Sequence, residues 1–346
     1  EYLTNKGDLI SIINMEDAQI FESATVNTCI LSFLKSKNNN SALIVNEIYD
    51  LKSNFQDFIS NNAFYYSQND FQTVTWNLLD IDKLQLGKKI KANHKTLEEY
   101  GTQINLGIAT GANEVFVLDN DKYNELIAKD SNNSAVIKPI LRGKDIKRYS
   151  YEKPELKIIL AKNTVNIEQD YPVIYQYLDS AGESFKNRGA QGKHWTNLRA
   201  CSFFDDFQKE KIVWIELSDV NKFALCTEEI YLLNSAYFLI PPKQLSSKFL
   251  LGILNSKLIC FYLNLIANTS GMGTTRWINI YVKEFPIPEA NDADKQAIEN
   301  LVSRIIEMKD KNPKENTLDL EKQIDQLVYA LYDLTAEQQL LIENSK

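Results

Sequence analysis

Gly107-Ile-Ala-Thr110-Gly111-Ala-Asn113-Glu-Val-Phe116-Val-Leu118 and Ile137-Lys-Pro139-Ile-Leu-Arg142-Gly143-Lys144-Asp145-Ile-Lys-Arg148-Tyr149 are the two blocks on which the reading of this chain turns. The first begins as a strand, breaks at a glycine turn between a hydroxyl and an amide side chain, and resumes as an apolar strand over Glu114–Leu118. The second ends in a turn crowded with cations. Glycine lets a backbone take positive φ or approach a neighbour closely. Arginine and lysine beside such turns are suited to phosphates and base edges. Arg142, Lys144 and Arg148 are therefore expected to form one exposed edge near the Thr110–Asn113 turn.

Outward from these blocks the pattern is mixed α/β. Leu9–Asn14, Thr25–Leu34 and Ala42–Ile48 read as strands near the start, and Lys83–Lys95 as a basic connector. The middle offers strands at Lys157–Leu160, Ile212–Glu216, Phe223–Thr227 and Tyr237–Ile240. Helical spacing marks Tyr171–Asp179 and one long helix over Ser246–Ile266. Two amphipathic helices close the chain, Asp292–Lys309 and Asn316–Leu334, and Thr335 with Glu337 and Gln338 predicts an N-cap for one more turn.

The chain has 346 residues and a formal net charge of −8, which argues at first against an anionic partner. The charge is uneven. Residues 1–136 hold 11 Lys/Arg against 18 Asp/Glu, residues 137–288 hold 20 against 15, and residues 289–346 hold 7 against 13. A basic middle is what an electrostatic footprint on nucleic acid requires, whatever the whole-chain balance. No apolar run reaches membrane-spanning length, and nothing at the start resembles a signal peptide. Cys29, Cys201, Cys226 and Cys260 are scattered without a C-x-x-C pair, which fits a reducing cytoplasm. The two histidines, His94 and His194, lie far apart, which disfavours histidine-based metal sites and triads.

Two further patches carry binding chemistry. Lys186, Arg188, Lys193, Asn197 and Arg199 lie in an acid-free run with two glycines and Trp195, whose ring is expected to pack rather than stack on a base. Thr274 and Arg276 close the glycine- and hydroxyl-rich run Asn268–Trp277, a phosphate-gripping composition. Base readout is expected in Lys186–Arg199 and Thr269–Arg276. Asp145 with Glu155-Leu156-Lys157 has the loose spacing of a nuclease metal site, but short spacings of this kind arise by chance. No catalytic or metal-ligating residue is assigned.

The two opening blocks, in this order, resemble the signature of the TaqI-like C-terminal specificity domain. That domain is the target-recognition part of type IIG restriction–modification enzymes and related adenine-specific DNA methyltransferases. Lys283-Glu-Phe-Pro286-Ile-Pro288 looks like the exit of such domains, and Leu320–Thr335 like their closing helix. The resemblance implies four segments: the last strands of a methyltransferase-like sheet over 1–50, a connector over 51–100, a mixed α/β target-recognition domain over 101–290, and helices over 291–346. It implies double-stranded DNA and an upstream methyltransferase domain of the same polypeptide as partners, with no membrane. It also implies a parent that is a site-specific adenine methyltransferase, with or without endonuclease activity. S-adenosylmethionine, and Mg²⁺ where a nuclease domain is present, would belong to that parent and not to this segment. The Asx-Pro-Pro-aromatic loop that holds a target amine is missing, for Pro241-Pro242 lies between Ile240 and Lys243, and no glycine-rich cofactor loop follows an early strand. The chain starts at Glu1 without a Met and reads as a piece of something longer. Two other readings remain open: the specificity subunit of a type I restriction system, and a protein-interaction scaffold with an incidental basic middle.

Overall fold

The computed structural model describes residues 2–15, 18–24, 26–38, 40–71, 78, 81–267 and 275–345. The chain divides into two compact units, 1–92 and 93–346.

In the first unit, β1 (Asp8–Asn14) and β3 (Ala42–Asn46) run parallel at the centre of a sheet. They are flanked by β2 (Cys29–Leu34) and β4 (Phe64–Tyr66), both antiparallel. Strands covered on both faces read as continuous apolar runs rather than alternating ones. Leu9, Ile12, Ala42 and Ile44 pack with Tyr66 and Phe71, while Ile13, Met15 and Val45 pack with Phe58. Phe58 belongs to α1 (Phe55–Asn62), whose N-cap Asn54 accepts from the amides of Gln56 and Asp57. The edge strand β2 differs, because Ile30, Leu31 and Leu34 are each more than 40% exposed. The predicted basic connector is mostly a helix, α2 (Ile81–Lys91), with Lys88, Lys89 and Lys91 in its last turn, where the helix dipole favours cations.

The second unit holds two four-stranded sheets. One comprises β5 (Val117–Leu118), β6 (Ile137–Leu141), β7 (Leu156–Ile159) and β8 (Tyr231–Leu232). The other comprises Ile104–Leu106, Lys211–Ile215, Phe223–Cys226 and Ala236–Leu239. They share one core that includes Phe116, Ile140, Leu160, Phe207, Val213 and Phe238. Lys211 lies fully buried in it, its ammonium donating to the carbonyls of Phe207, Lys209 and Glu228.

Two departures from the sequence-based expectations have local causes, while the helix expected over Tyr171–Asp179 forms as read. Glu114–Leu118 is not one strand: Asn113–Phe116 makes a helical turn, because the Ala112 carbonyl accepts from the amides of both Val115 and Phe116. Pro172 opens a helix at Pro172–Asp179, as proline at a first helical position should. The predicted helix over Ser246–Ile266 is two, Ser247–Leu254 and Lys257–Ile266, bent by 62°. At the break the Asn255 side chain pairs with the amide and carbonyl of Phe223, and Ser256 caps the second helix through the Ile259 amide. Both helices are largely buried, and among the described residues no single helix is long and apolar enough to cross a membrane.

The closing helices Asp292–Lys311 and Leu318–Leu331 sit on this pair. A Cβ on Gly252 would lie 2.5 Å from Ile298 and 3.2 Å from Val302, so the helices meet at nearly backbone distance. Ala336–Glu343 follows, with the Thr335–Gln338 capping box in place. The unit's start is tied to the segment before the closing helices by pairing of Lys95–Thr96 with Pro286–Ile287.

Candidate nucleic-acid interface

The segment Leu232–Ala236 passes from one sheet of the second unit to the other, and both opening blocks lean on it. On one side the Gly107 amide donates to the Ala236 carbonyl at 2.8 Å, the Ile108 amide to Leu232 at 2.7 Å, and the Asn234 amide back to Ile108 at 3.1 Å. On the other, the Leu233 amide donates to the Leu141 carbonyl and the Gly143 amide to Ser235 Oγ. Glycine is required on each side for one reason. A Cβ on Gly107 would stand 2.2 Å from the Leu233 carbonyl oxygen, and one on Gly143 2.3 Å from that of Ser235. The two blocks are thus neighbours across a shared backbone. Their meeting point, Leu232–Ala236, has no charged or glycine signal by which sequence reading would have found it.

From this frame the predicted residues diverge. Thr110 is buried, and its Oγ1 donates to Asn113 Oδ1 and accepts from the Ala112 amide; only Asn113 is exposed. Arg142 grips Asp145 through Nε and Nη2 at 2.9 and 2.8 Å, while the Asp145 carboxylate also accepts the Arg142 amide. Burial pushes the Asp145 carboxyl up, but the Arg142 hydrogen bonds and charge outweigh it and hold it below its ordinary value. Both Asp145 oxygens are committed there. Among the described residues, no group of three or more His, Cys, Asp and Glu side chains gathers to hold a metal.

Lys144 projects outward beside this pair. Arg148 does not join it. Arg148 is ion-paired to Glu321 and donates to Asn221 Oδ1 at 2.6 Å, binding the sheet to the closing helices. The expected single edge of three cations is therefore one exposed lysine, one arginine held by its neighbour, and one arginine used as a tie.

The second patch is similarly sorted. Arg188 is 8% exposed, lies over the rings of Phe116 and Phe185, and donates to the carbonyls of Phe185, Trp195 and Asn197. Burial lowers its pKa, and no carboxylate balances it. Asn197 is buried as well, its amide spanning the carbonyls of Lys162 and Val165. These two residues are the loop's internal scaffold, so the expectation that they face a ligand is corrected. Lys186 pairs with Asp179 and Glu183 above the Trp195 ring, which packs against Tyr175 and Phe185. Lys193 and Arg199 are exposed and, like Lys144, carry no ion pair among the described residues. The turn and this patch meet: Gly111, at φ 71°, would bring a Cβ to 2.8 Å from Ala190.

In the third patch Thr274 lies outside the described residues, as does most of its run. Arg276 is half exposed and pairs with Glu216 at 2.6 Å, which raises the guanidinium pKa. Its strand-like bridge to Leu217 fixes it at the second sheet's margin. Ser235 links this margin to the Arg142 turn, because its carbonyl accepts the Glu216 amide while its hydroxyl accepts that of Gly143.

In fold the chain is similar to solved restriction enzymes. The chain covers 44% of each of two solved restriction enzymes and so spans less than half their length. One is the type IIL restriction–modification enzyme MmeI in complex with DNA, at 11% identity, 97% coverage of this chain and a TM-score of 0.62, a likeness of fold. The other is the type IIG restriction endonuclease BpuSI, at 12% identity, 96% coverage and a TM-score of 0.47. A family profile matches residues 138–287, which take in the Arg142 turn, the 186–199 patch, Arg276 and the Pro286 exit. The profile is that of the TaqI-like C-terminal specificity domain, to which the chain is similar over that span.

Proposed function

We propose that this chain is the DNA target-recognition region of a type IIG-like restriction–modification enzyme, holding duplex DNA in register for chemistry performed elsewhere in the parent protein. The observation that carries the proposal is the coincidence of the specificity-domain match over 138–287 with the net-basic middle, 137–288, of an acidic chain. Lys144, Lys193 and Arg199 are the contacts the geometry favours, with Asn113, Lys186 and Arg276 beside them. Exposed cations without carboxylate partners can meet phosphates at no cost in broken ion pairs.

The apolar edge strand β2 supports the further reading that the first unit continues a larger methyltransferase-like sheet, since an open apolar edge calls for a covering element. S-adenosylmethionine would be bound by that larger part. The residues here do not fit methyl transfer: Pro241-Pro242 turns the chain toward the Ser246 cap, with no Asx or aromatic partner to hold a target amine. No methyl-transfer step is derived through this chain. The four cysteines are free, in keeping with a reducing cytoplasm.

The test is a salt titration of binding to a random-sequence duplex. Affinity should fall steeply, with a slope near 0.9 per neutralised phosphate in log–log form. Changing Lys144, Lys193 and Arg199 together to alanine should flatten it. Binding that is absent, or insensitive to salt, would leave the interaction-scaffold reading in its place.

A further inference from the structure

The loop joining Lys211–Ile215 to Phe223–Cys226 is held from within while part of it faces outward. Three residues hold the loop down, Glu216 and Ser218 through their main chains and Asn221 through its side chain. The Glu216 carbonyl accepts the Trp277 amide at 2.8 Å. The Ser218 amide donates to Thr275 at 3.3 Å, and its carbonyl accepts Trp277 Nε1 at 2.9 Å. The Asn221 side chain donates to the carbonyls of Leu254 and Ser256 and accepts from Arg148. The residues between them point out. Leu217 and Val220 are 48% and 49% exposed, and Asp219 is exposed between them.

A loop so firmly pinned holds two apolar side chains and a carboxylate in fixed positions beside Arg276. Phosphate is the wrong occupant for that face, since a carboxylate repels it and aliphatic groups offer it nothing. Base edges suit it. In the major groove thymine presents a methyl group, and cytosine and adenine present amines that a carboxylate can accept. A two-stranded ribbon is narrow enough to enter that groove. The loop lies within the 138–287 match to a specificity domain, which favours duplex DNA over a second apolar protein surface as the source of those edges.

We propose that Leu217, Asp219 and Val220 form a base-reading edge, with the two aliphatic side chains seated on thymine 5-methyl groups and Asp219 accepting from an exocyclic amine of a neighbouring base. The proposal rests on the DNA-recognition reading and adds to it which residues discriminate and what they recognise.

The experiment selects preferred duplexes from a randomised pool with the unaltered chain, then replaces each thymine of the preferred duplex by uracil, which removes only the methyl group. At one or two positions uracil should weaken binding about three- to fivefold, the effect of one buried methyl. A Leu217→Ser/Val220→Ser chain should be indifferent to the same replacements while keeping the salt slope. Asp219→Asn should relax preference at an adjacent base pair. Since all three side chains lie at the surface, the variants should unfold at the same temperature as the parent chain. Uracil tolerated everywhere, or penalised equally in the variant, would overturn the proposal while leaving DNA binding intact. A variant that changes self-association in sedimentation, with its sequence preference unaltered, would reassign the pair to a protein contact. Failure to bind any duplex would instead sink the underlying DNA reading.

Discussion

Arg188 and Arg199 sit in one acid-free run and offer the same cue in sequence, yet they do opposite work. Arg188 spends Nη1 and Nη2 on three carbonyls and lies 4.4 Å over the Phe185 ring; Arg199 is exposed. What separates them is Phe116, brought from more than 70 positions upstream by packing, which no local reading of the run contains. The signature glycines were legible because backbone proximity leaves a mark in sequence; the internal arginine was not, because burial leaves none on a cation. Arg188→Ala should therefore act on stability, by about 2–4 kcal/mol, since it strands three buried carbonyls. Arg188→Lys should not rescue it, because an ammonium lacks the planar fork. Urea unfolding measures the loss. Near-native stability with altered site preference would return Arg188 to the recognition surface.

Among the elements, the bent helix pair shows how far periodicity reaches. Its apolar spacing marks it as helical, and it is helical on both sides of a break. The break comes from Asn255 acting as a strand partner to Phe223, a contact 32 positions away. Just past the break, the Lys257 amide donates to Asp325 of the closing helix. Burial raises the Asp325 carboxyl to about 6, against the pull of that amide, Arg148 and Lys257. The native state then holds a proton that the unfolded chain has released, so stability should fall as pH rises from about 4 through 6 and stay lower above. Asp325→Asn keeps an acceptor for the amide without the charge. It should gain on the order of 2 kcal/mol at pH 7 and little at pH 4. Urea midpoints at both pH values decide it; an Asn variant weaker at pH 7 would mean that the cations outweigh burial.

At the scale of the molecule, the second unit closes on itself: Lys95–Thr96 pairs with Pro286–Ile287, and the closing helices cover Gly252 and its neighbours. Residues 93–346 produced alone should unfold cooperatively and retain salt-dependent duplex binding. A 101–290 fragment should not, because it removes Ile298, Val302, Ile305, Ile324 and Val328, all fully buried. Circular dichroism melts of the two fragments test this, and a sharp transition in the shorter one would place the helices outside the folding unit.

The hold of Leu232–Ala236 on both opening blocks is main chain throughout, save where the Gly143 amide meets Ser235 Oγ. Hydrogen bonds between peptide groups do not depend on which side chains flank them. The outward positions at 144, 193, 199, 217, 219 and 220 can therefore change identity without loosening the frame that aims them. A fold built this way can acquire a new preference by exchanging a few surface residues, and a designer could retarget it by grafting those positions while leaving Gly107, Gly143 and the 232–236 crossover untouched.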